Sequence, residues 1–463
     1  MTSANPSSPS TGADRNSRSD GAGGRTGNIA NLGEARLASR NTHTVSDEQR
    51  IPERIEIGAE PGLAFELAGP RARMFFDPAR TRAAIVTCGG LCPGLNNVVR
   101  SAFFELHYGY RVAEVIGFRG GYAGLDPTTA AEPLLLTPEA VDSIHQKGGT
   151  ILGTTRGPVD IGRAVDNLIR RGVDILFTVG GDGTQRGARA IHEEARRRGY
   201  ALSVVGIPKT IDNDIQYVAR SFGFLTAAQE AVRVLDSAHT EVRSVPGSIG
   251  LVKLMGRHAG FLTACATVAS QDVNFALIPE VPFELDALLE ALEQRMLFKS
   301  HALVAVAEGA GQDLLDCDPS RTDASGNVKL GDIGVFLRAK MEAHFAAHGM
   351  PVVLRYFDPS YQIRSRAANC EDAILCDQYA RNAVHAAMAG KTGLIIGYLH
   401  NRFIHVPIER LAGTGRRLDP AGPWWRAALA TTGQPERFVA QRPPQPGTVR
   451  QQRAAGGALA RSP

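Results

Sequence analysis

Short runs of β-branched and aliphatic residues alternate with helical periodicity along most of the chain, and few architectures accommodate that order. The runs that indicate buried strands are Ala83–Thr87, Asp174–Val179, Ser203–Ile207, Ser248–Met255, Phe275–Ile278, His301–Val306, Val352–Tyr356 and Gly393–Gly397. Helical patterns follow many of them, at Gly187–Arg198, Thr226–His239, Glu284–Leu297, Val335–His348 and Asp372–Ala389. Strands that alternate with helices form parallel sheets with right-handed crossovers, so we predict an α/β protein. Its ligands are expected beyond the carboxyl ends of the strands.

Length and charge limit the class of protein. At 463 residues the chain exceeds what one hydrophobic core usually serves, so two domains are expected. The formal charge of +4 includes +1 in residues 1–50 and +5 in residues 421–463, which leaves the body at −2. A slightly acidic body argues against a nucleic-acid enzyme. No signal-peptide pattern and no run of about 18 apolar residues occur, so we predict a cytoplasmic protein without a membrane partner.

Both ends of the chain lack apolar periodicity. Residues 1–50 are rich in Ser, Gly, Asn, Thr and Arg, and the chain from about residue 425 turns to Pro, Gln, Arg and Gly. Segments of this composition cannot bury enough surface to offset their ordering entropy. We therefore expect a disordered tail over 1–50 and a loose tail over 425–463. Removal of both tails is expected to leave fold and turnover intact.

Two glycine-rich turns follow predicted strands. The first, TCGGLCPGLN at residues 87–96, has paired glycines that let backbone N–H groups approach a phosphate, although a tight turn without a ligand needs glycine too. The second is Gly180-Gly-Asp-Gly-Thr184, in which Asp182 points into the crevice and suits Mg²⁺ better than it suits a helix cap. A turn of this kind also occurs in NAD kinases and lipid kinases, which stay open as alternatives.

The most specific stretch is GIPKTIDNDI at residues 206–215, directly after a predicted strand. In an extended segment alternate residues face the same way, so Thr210, Asp212 and Asp214 can converge on one acceptor. A carboxylate held against a hydroxyl can take its proton while a neighbouring Thr or Lys binds phosphate oxygens. The other interpretation of Asp-Asn-Asp is an Asx turn without chemistry. The pattern favours a kinase that phosphorylates a hydroxyl group.

The motifs and their order along the chain resemble those of the phosphofructokinase superfamily, and the resemblance covers nearly all of residues 80–410. The matching landmarks are Gly89–Gly90, Gly149–Gly157, Gly180–Thr184, Pro208–Asp214, Met255–Arg257, Ala307–Gly309 and Tyr361–Arg364. The similarity is to the ATP-using branch that groups with pyrophosphate-dependent enzymes. It implies two αβα sandwich domains around a cleft, a nucleotide domain over 81–222 and 365–420 and a sugar-phosphate domain over 223–364.

The resemblance also implies an activity. It is the ATP-dependent phosphorylation of the O1 hydroxyl of fructose 6-phosphate, with Mg²⁺, in a homodimer or homotetramer. Nucleotide binding is assigned to Gly89, Arg156, Gly157, Gly181, Asp182, Gly183 and Thr184, with Asp182 as the metal ligand. Catalysis is assigned to Lys209 and Thr210 at the phosphoryl oxygens and to Asp212 as general base. Sugar-phosphate binding is assigned to Thr210, Ile211, Asp212, Met255, Gly256, Arg257, Glu308, Tyr361, Gln362, Ile363 and Arg364.

Two positions give opposite indications about the phosphoryl donor. Lys209 stands where pyrophosphate users carry lysine and common bacterial ATP users carry glycine. Gly183 is typical of ATP users, because pyrophosphate enzymes carry an aspartate there. A carboxylate side chain at this position would fill and repel the space of the α-phosphate, so we predict ATP, with pyrophosphate as the alternative.

A further position differs from the pattern of the common bacterial enzymes, and it concerns binding of the sugar phosphate. The arginine that common bacterial enzymes contribute from a neighbouring subunit falls on Ser248, which leaves Arg243 or Arg355 as its substitute. A further alternative is a non-catalytic regulatory subunit with the same fold. The intact Asp182 and Asp212 argue against that alternative.

Overall fold

The computed structural model describes residues 27–52, 63–129, 131–316, 320–322, 328–411 and 415–440. Its strands are β1 (Ala30–Asn31), β2 (Leu37–Ala38), β3 (Arg50–Pro52), β4 (Ala64–Leu67), β5 (Arg73–Met74), β6 (Arg82–Thr87), β7 (Glu114–Phe118), β8 (Leu134–Leu135), β9 (Ile175–Gly180), β10 (Ser203–Pro208), β11 (Ser248–Leu254), β12 (Phe275–Leu277), β13 (His301–Ala307), β14 (Val353–Phe357), β15 (Lys391–Thr392), β16 (Leu394–Leu399) and β17 (Arg402–Pro407). Its α-helices are α1 (Leu95–Phe104), α2 (Pro138–Val141), α3 (Ile161–Arg170), α4 (Asp182–Arg197), α5 (Phe224–Ser244), α6 (Phe261–Ser270), α7 (Leu285–Lys299), α8 (Ile333–Ala347), α9 (Ser360–Arg364), α10 (Cys370–Met388) and α11 (Pro423–Thr432). A π-helical segment, Glu105–Tyr110, continues α1, and single 3-10 turns lie at Gly121–Leu125, Ile144–Gln146, Gln312–Leu314 and Ile408–Leu411.

The larger sheet has the strand order β3-β4-β17-β16-β10-β9-β6-β7-β8. Its central strands, from β16 to β7, are parallel, and the outer strands pair antiparallel. Every residue of β9 and β10 is buried, as their continuous apolar sequences require. Helices α1 and α10 pack together beside this sheet, and α3 and α4 form a second helix pair against it.

The smaller sheet is fully parallel, with the order β12-β13-β11-β14. Alternate residues of β13 enter different cores: Leu303 and Ala305 join the core that contains α5 and α6, and Val304 and Val306 join the core that contains α7 and α8. Since successive side chains of a strand point to opposite faces, helices cover this sheet on both sides. The predicted α/β fold is confirmed.

The expectation of a disordered tail over residues 1–50 is wrong for residues 27–50. Strand β1 pairs with β15 through Ala30 and Thr392, and β2 pairs with β5. Asp47 forms two ion pairs, at 2.9 Å from Nζ of Lys391 and 2.7 Å from Nε of Arg71. Strand pairing and these ion pairs, which leave no apolar periodicity in the sequence, therefore hold this segment on the body. Residues 1–26 lie outside the described residues.

The expectation of a loose tail from residue 425 is likewise wrong up to residue 440. Helix α11 packs on α6, and Trp425 is fully buried there. The Gln434 side chain exchanges two hydrogen bonds with the backbone of Ala276, and Phe438 packs against Phe275 with ring centroids 5.8 Å apart. This terminal segment is therefore a structural part of the smaller-sheet layer. Residues 441–463 lie outside the described residues.

The two sheets divide the chain. All strands of the smaller sheet lie within residues 248–357, and those of the larger sheet lie within 50–208 and 394–407. The expected domain boundaries near residues 223 and 364 fall between these groups of strands. In the described part of the chain, no helix is both long and apolar enough to span a bilayer.

Candidate active site

A cleft with a volume of about 760 Å³ lies where the two sheets meet. The carboxyl ends of five strands border it: β6, β9 and β10 from the larger sheet, and β11 and β13 from the smaller one. Turns at the carboxyl ends of parallel strands are free to carry polar side chains, because the strands themselves are buried. Five of the seven sequence landmarks occupy these turns, and the other two, Gly149–Gly157 and Tyr361–Arg364, reach the cleft from the loop before α3 and from α9.

Most of the residues proposed from sequence line this cleft. They are Gly89, Arg156, Gly157, Gly181, Asp182, Gly183, Thr184, Lys209, Thr210, Ile211, Asp212, Met255, Arg257, Glu308 and Arg364. The turn after β9 is compact: a Cβ on Gly180 would lie 2.1 Å from Oγ1 of Thr184, so only glycine fits there. Helix α4 begins directly at Asp182, which puts this carboxylate at the mouth of the turn.

Four proposed residues do not line the cleft. Ile363 is fully buried, Tyr361 is 76% exposed, and Gln362 is exposed. They form one short helix, α9, with Arg364, and consecutive helical residues point in different directions, so only Arg364 reaches the cleft. Gly256 belongs to the backbone of its turn: its φ is 129°, and a Cβ there would lie 2.8 Å from the carbonyl oxygen of Ala259.

Three cations converge on the turn after β6. Nζ of Lys209 donates a 2.5 Å hydrogen bond to the carbonyl oxygen of Gly90. A Cβ built on Gly90 would lie 2.9 Å from Nη2 of Arg156 and 3.5 Å from Nη1 of Arg364. Burial lowers the pKa of Lys209, and the charges of Arg156 and Arg364 lower it further. Three confined positive charges of this kind favour a polyanion such as a phosphoryl group.

Two carboxylates that interact electrostatically line the cleft, Asp182 in the turn after β9 and Asp214 in the turn after β10. Burial raises the pKa of Asp182 to about 6, and the charge of Asp214 contributes to the rise. Burial also raises the pKa of Asp214, whereas the Thr210 hydroxyl, at 2.9 Å from Oδ1, favours its ionised form. A pair of carboxylates that repel each other in a cleft is a donor set that fits Mg²⁺.

Asp212 differs from this pair. Its side chain faces the cleft, and its Oδ1 atom is buried without a hydrogen-bond partner in the described structure. Burial raises the pKa of Asp212 well above its ordinary value, and the charges of Asp214 and Glu308 reinforce the effect. An unpaired carboxylate oxygen with raised basicity is suited to accept a proton from a bound hydroxyl.

Glu308 and Arg257 form the other wall of the cleft. Burial raises the pKa of Glu308, and the positive charges of Arg257, Lys253 and Arg364 act in the opposite direction. Nη2 of Arg257 donates a hydrogen bond to the carbonyl oxygen of Val328. A carboxylate among cations can bind sugar hydroxyl groups while the cations bind a phosphate.

The structure also places residues in the cleft that sequence analysis did not assign. They are Cys88, Gly90, Leu91, Tyr122, Thr155, Pro158, Arg186, Asp214, His258, Gly415 and Arg417. Of these, Gly90 stood in a quoted motif, and the alternation at residues 210–214 had already directed Asp214 toward the acceptor without giving it a role. Arg186 lies one helical turn after Asp182, a position that the helix starting there could have indicated.

Arg417 is carried by a segment that crosses the cleft. The backbone N–H of Arg416 donates to the carbonyl oxygen of Asp214 at 2.6 Å, and its guanidinium lies 4.4 Å from the ring centroid of Phe261. One residue after Arg417, the backbone N–H of Leu418 donates to Oε1 of Glu280 at 2.8 Å. No local sequence pattern marks this segment, and contacts distant in sequence hold it on both sides of the cleft.

Ser248, the position at which common bacterial enzymes carry an arginine, lies inside the protein. Ser248 is fully buried at the start of β11. Arg355 lies on β14 and pairs with Glu241 at 3.1 Å, and Arg243 is exposed in the last turn of α5. Ser248 therefore cannot take the place of a surface arginine, and the choice between Arg243 and Arg355 stays open.

Curated relatives and solved structures agree with this geometry. The chain is 47% identical over 386 residues to a protein named ATP-dependent 6-phosphofructokinase from Amycolatopsis methanolica, covering 81% of this chain and 84% of that protein. It is also 47% identical over 373 residues to the protein of that name from Trypanosoma brucei brucei, covering 80% and 76%. A pyrophosphate-dependent phosphofructokinase structure from Marinobacter aquaeolei aligns with a TM-score of 0.64 at 19% identity, covering 78% and 94%, which is a likeness of fold.

The phosphofructokinase family model matches residues 82–387. This range contains all five strand ends that border the cleft, together with both carboxylate turns. Since the family model matches more than half of the chain and relatives 47% identical cover at least four fifths of it, the chain belongs to the phosphofructokinase family.

Proposed function

We propose that the protein is an ATP-dependent 6-phosphofructokinase. It transfers the terminal phosphoryl group of ATP to the O1 hydroxyl of fructose 6-phosphate and yields fructose 1,6-bisphosphate and ADP. The observation that carries the proposal is the position of Asp212, which has an unpaired Oδ1 atom and lines the same cleft as the Lys209 and Arg156 cations. A proton acceptor and a phosphate site in one cleft are what transfer to a hydroxyl requires.

In this reaction the residues of the chain act mainly by positioning and charge. Asp212 accepts the O1 proton as the new phosphorus–oxygen bond forms. Lys209 and Arg156 neutralise oxygens of the transferring group, and the Thr210 hydroxyl holds the turn that aligns Asp212 with its substrate. Each role depends on groups fixed before the substrates bind, which lowers the cost of reorganisation during the reaction.

The residues that line the cleft also account for recognition of the substrates. Glu308 and Met255 border the proposed sugar site, and Arg257 and Arg364 supply positive charge for the 6-phosphate. The glycines after β6 and β9 give the nucleotide phosphates access to backbone N–H groups. Gly256 and the buried Ile363 support this site from behind. Gln362 is exposed, and Tyr361, also exposed, contacts the site only through its ring, whose centroid lies 4.7 Å from the guanidinium carbon of Arg364.

The carboxylates of Asp182 and Asp214 fit a magnesium ion, because burial and then the charge of Asp214 raise the pKa of Asp182, and a divalent cation offsets the repulsion between the two carboxylates. When bound, the ion supplies charge neutralisation for the nucleotide phosphates. Asp214 thus joins Asp182, the residue assigned from sequence, as a second proposed ligand.

The donor follows from Gly183 and from the names of the similar proteins, which are ATP-dependent enzymes at 42–47% identity. Pyrophosphate remains the second candidate because Lys209 occupies the phosphate site with a buried ammonium group. A coupled assay that compares ATP with pyrophosphate on fructose 6-phosphate tests the proposal. We expect at least about tenfold higher kcat/KM with ATP, or about 1.4 kcal/mol. A preference for pyrophosphate, or no turnover with either donor, contradicts it.

Assembly and location remain predictions. A homodimer or homotetramer follows from the family resemblance, as does a neighbouring subunit that completes the sugar-phosphate pocket. Sedimentation equilibrium of the full chain, followed by kinetics of Arg243→Ala and Arg355→Ala, tests both points. The variant whose KM for fructose 6-phosphate rises identifies the arginine, and no effect of either variant contradicts the substitution. A cytoplasmic location is likewise a prediction, which fractionation of cells can test.

A further inference from the structure

Away from the cleft, three side chains with metal-binding groups meet on the outer helices of the smaller sheet. Glu293 lies on α7, His344 lies in the last turn of α8, and His348 follows directly after that helix. One possible ligand atom from each residue lies within 4.8 Å of the other two. Since residues four apart share a helical face, both imidazoles point toward α7.

The hydrogen bonds around this cluster suit metal binding. Nε2 of His344 lies 2.9 Å from Oε2 of Glu293. Nδ1 of His348 lies 2.8 Å from the carbonyl oxygen of His344, so Nδ1 carries the proton and Nε2 of His348 has its lone pair available. A backbone carbonyl on the far ring nitrogen is the usual outer partner of a metal-bound histidine.

The three side chains of the cluster differ in their exposure to solvent. The side chains of Glu293 and His344 are 20% and 14% exposed, and His348 is exposed. The imidazole rings lie 4.3 Å apart between centroids at an interplanar angle of 33°. Two ligands are thus held between the helices, and the third closes the site from the solvent side and leaves room for a water ligand.

We propose that Glu293, His344 and His348 bind one Zn²⁺ ion that links α7 to α8. Two imidazole nitrogens and a carboxylate oxygen are a set that zinc accepts, at bond lengths of about 2.0–2.2 Å, with water as the fourth ligand. Magnesium is disfavoured because it requires oxygen ligands. For Nε2 of His344 to bind the ion, the proton that it shares with Glu293 must move to Nδ1, since a metal-bound histidine is neutral and carries its proton on the other ring nitrogen. This site is separate from phosphoryl transfer.

Calorimetric titration of the full chain with Zn²⁺ tests the site, in buffer with excess Mg²⁺ so that the acidic cleft does not bind zinc. We expect saturable binding of one ion. His348→Gln retains a polar side chain at the helix end but loses the ligand, and Glu293→Gln loses the carboxylate. Each variant is expected to weaken zinc binding at least about tenfold, the range seen even for lost outer partners.

The matched control is His239→Gln. His239 also pairs with a carboxylate, Asp272, at 3.0 Å, but the described residues offer that pair no third ligand. Its zinc affinity is expected to equal that of the unaltered protein. X-ray absorption of the zinc-loaded chain is expected to detect two imidazole nitrogens. Absence of saturable binding, equal affinity in the ligand variants, or an equal loss in the control overturns the proposal.

Discussion

The hydroxyl of Thr210 donates a 2.9 Å hydrogen bond to Oδ1 of Asp214 and accepts one of 3.1 Å from the backbone N–H of Asp212. The hydroxyl thus donates to the carboxylate of Asp214 and not to that of Asp212. Oδ1 of Asp212 has no hydrogen-bond partner in the described structure. This division gives two neighbouring carboxylates different properties, one fixed beside Asp182 and one available to a substrate hydroxyl.

Replacement of the free carboxylate is expected to remove turnover without removing binding. Asp212→Asn keeps the shape of the side chain but cannot accept the O1 proton, so kcat should fall by about 10² to 10⁴. KM values for ATP and fructose 6-phosphate should stay within a few fold. Steady-state kinetics and substrate calorimetry measure both. A variant with near-normal kcat shows that Asp212 is not the base.

The magnesium response is expected to depend on pH. Asp182 has a pKa of about 6 in the folded protein and an ordinary value of 3.8, so the folded state binds more protons between these values. In the absence of a cation, this carboxyl therefore favours folding below about pH 4 and loses that contribution as pH rises through about 6. Magnesium binds the ionised form, so it should raise Tm at about pH 7.5 and much less at about pH 5.

The variant Asp182→Ala tests the assignment. It should abolish the pH-dependent effect of magnesium on Tm and also turnover at ordinary magnesium concentrations, while fructose 6-phosphate still binds in calorimetry. Scanning fluorimetry across pH supplies the Tm values. Loss of sugar binding in this variant assigns Asp182 a structural role, and an unchanged magnesium response excludes it as a ligand.

The site was largely predictable because its chemistry sits in turns directly after apolar strands. The alternation expected for residues 210–214 is present in their burial: Ile211 and Asn213 are buried, whereas Thr210, Asp212 and Asp214 are partly exposed and line the cleft. The backbone is nevertheless not extended throughout, since Asn213 has a φ of 56°. Asparagine tolerates this left-handed conformation better than most residues. The side-chain amide of Asn213 also donates to the carbonyl oxygen of Ala219 and accepts from the backbone N–H of Ser221, which fixes the turn.

The ends of the chain were not predictable from periodicity. Asp47 is held by charge and not by an apolar face, and the segment around Arg417 is held by single hydrogen bonds to Asp214 and Glu280. Such contacts join residues distant in sequence and leave no period to recognise. Trp425 and Phe438 lie in a Pro- and Gln-rich stretch without apolar periodicity. They are core residues only because this stretch packs on α6 and β12.

Removal of the terminal segments is therefore expected to destabilise the protein. Ending the chain at residue 424 deletes Trp425 and Phe438, which are 2% and 4% exposed, and should lower the free energy of unfolding by about 3 kcal/mol or more. Ending it at residue 440 deletes no described contact and serves as the control. Urea unfolding of both proteins measures the difference. Equal stabilities contradict the packing of this segment.

Arg417 is expected to contribute to nucleotide binding, because Gly415 brings its segment close to Asp182. A Cβ on Gly415 would lie 3.6 Å from Oδ2 of Asp182. A hydrogen bond to a charged group is typically worth about 1.5 kcal/mol or more, so Arg417→Ala should raise KM for ATP about tenfold. Arg417→Lys should restore part of the loss. The exposed Arg426 on α11 gives the control variant Arg426→Ala. A rise only in KM for fructose 6-phosphate assigns Arg417 to the other substrate.

The choice of donor is expected to depend on Gly183. The nearest atom that a Cβ on Gly183 would meet is Nη2 of Arg186, at 3.6 Å, which is an ordinary contact. Gly183→Ala should therefore leave ATP kinetics nearly unchanged. An aspartate there would add a negative charge beside the nucleotide phosphates and pair with Arg186, so Gly183→Asp should lower kcat/KM for ATP by at least about tenfold, or about 1.4 kcal/mol.

Comparison of Gly183→Ala with Gly183→Asp separates the effect of side-chain charge on donor choice from the effect of side-chain size. Pyrophosphate lacks the α-phosphate and nucleoside that the carboxylate introduced by Gly183→Asp would oppose, so its kcat/KM should fall less than that of ATP, or rise. Kinetics with both donors on both variants measure this. If Gly183→Ala weakens ATP use as much as Gly183→Asp does, backbone geometry and not charge sets the preference. If the unaltered protein already prefers pyrophosphate, the buried ammonium group of Lys209 is the better indicator of the donor, because it can neutralise a free diphosphate.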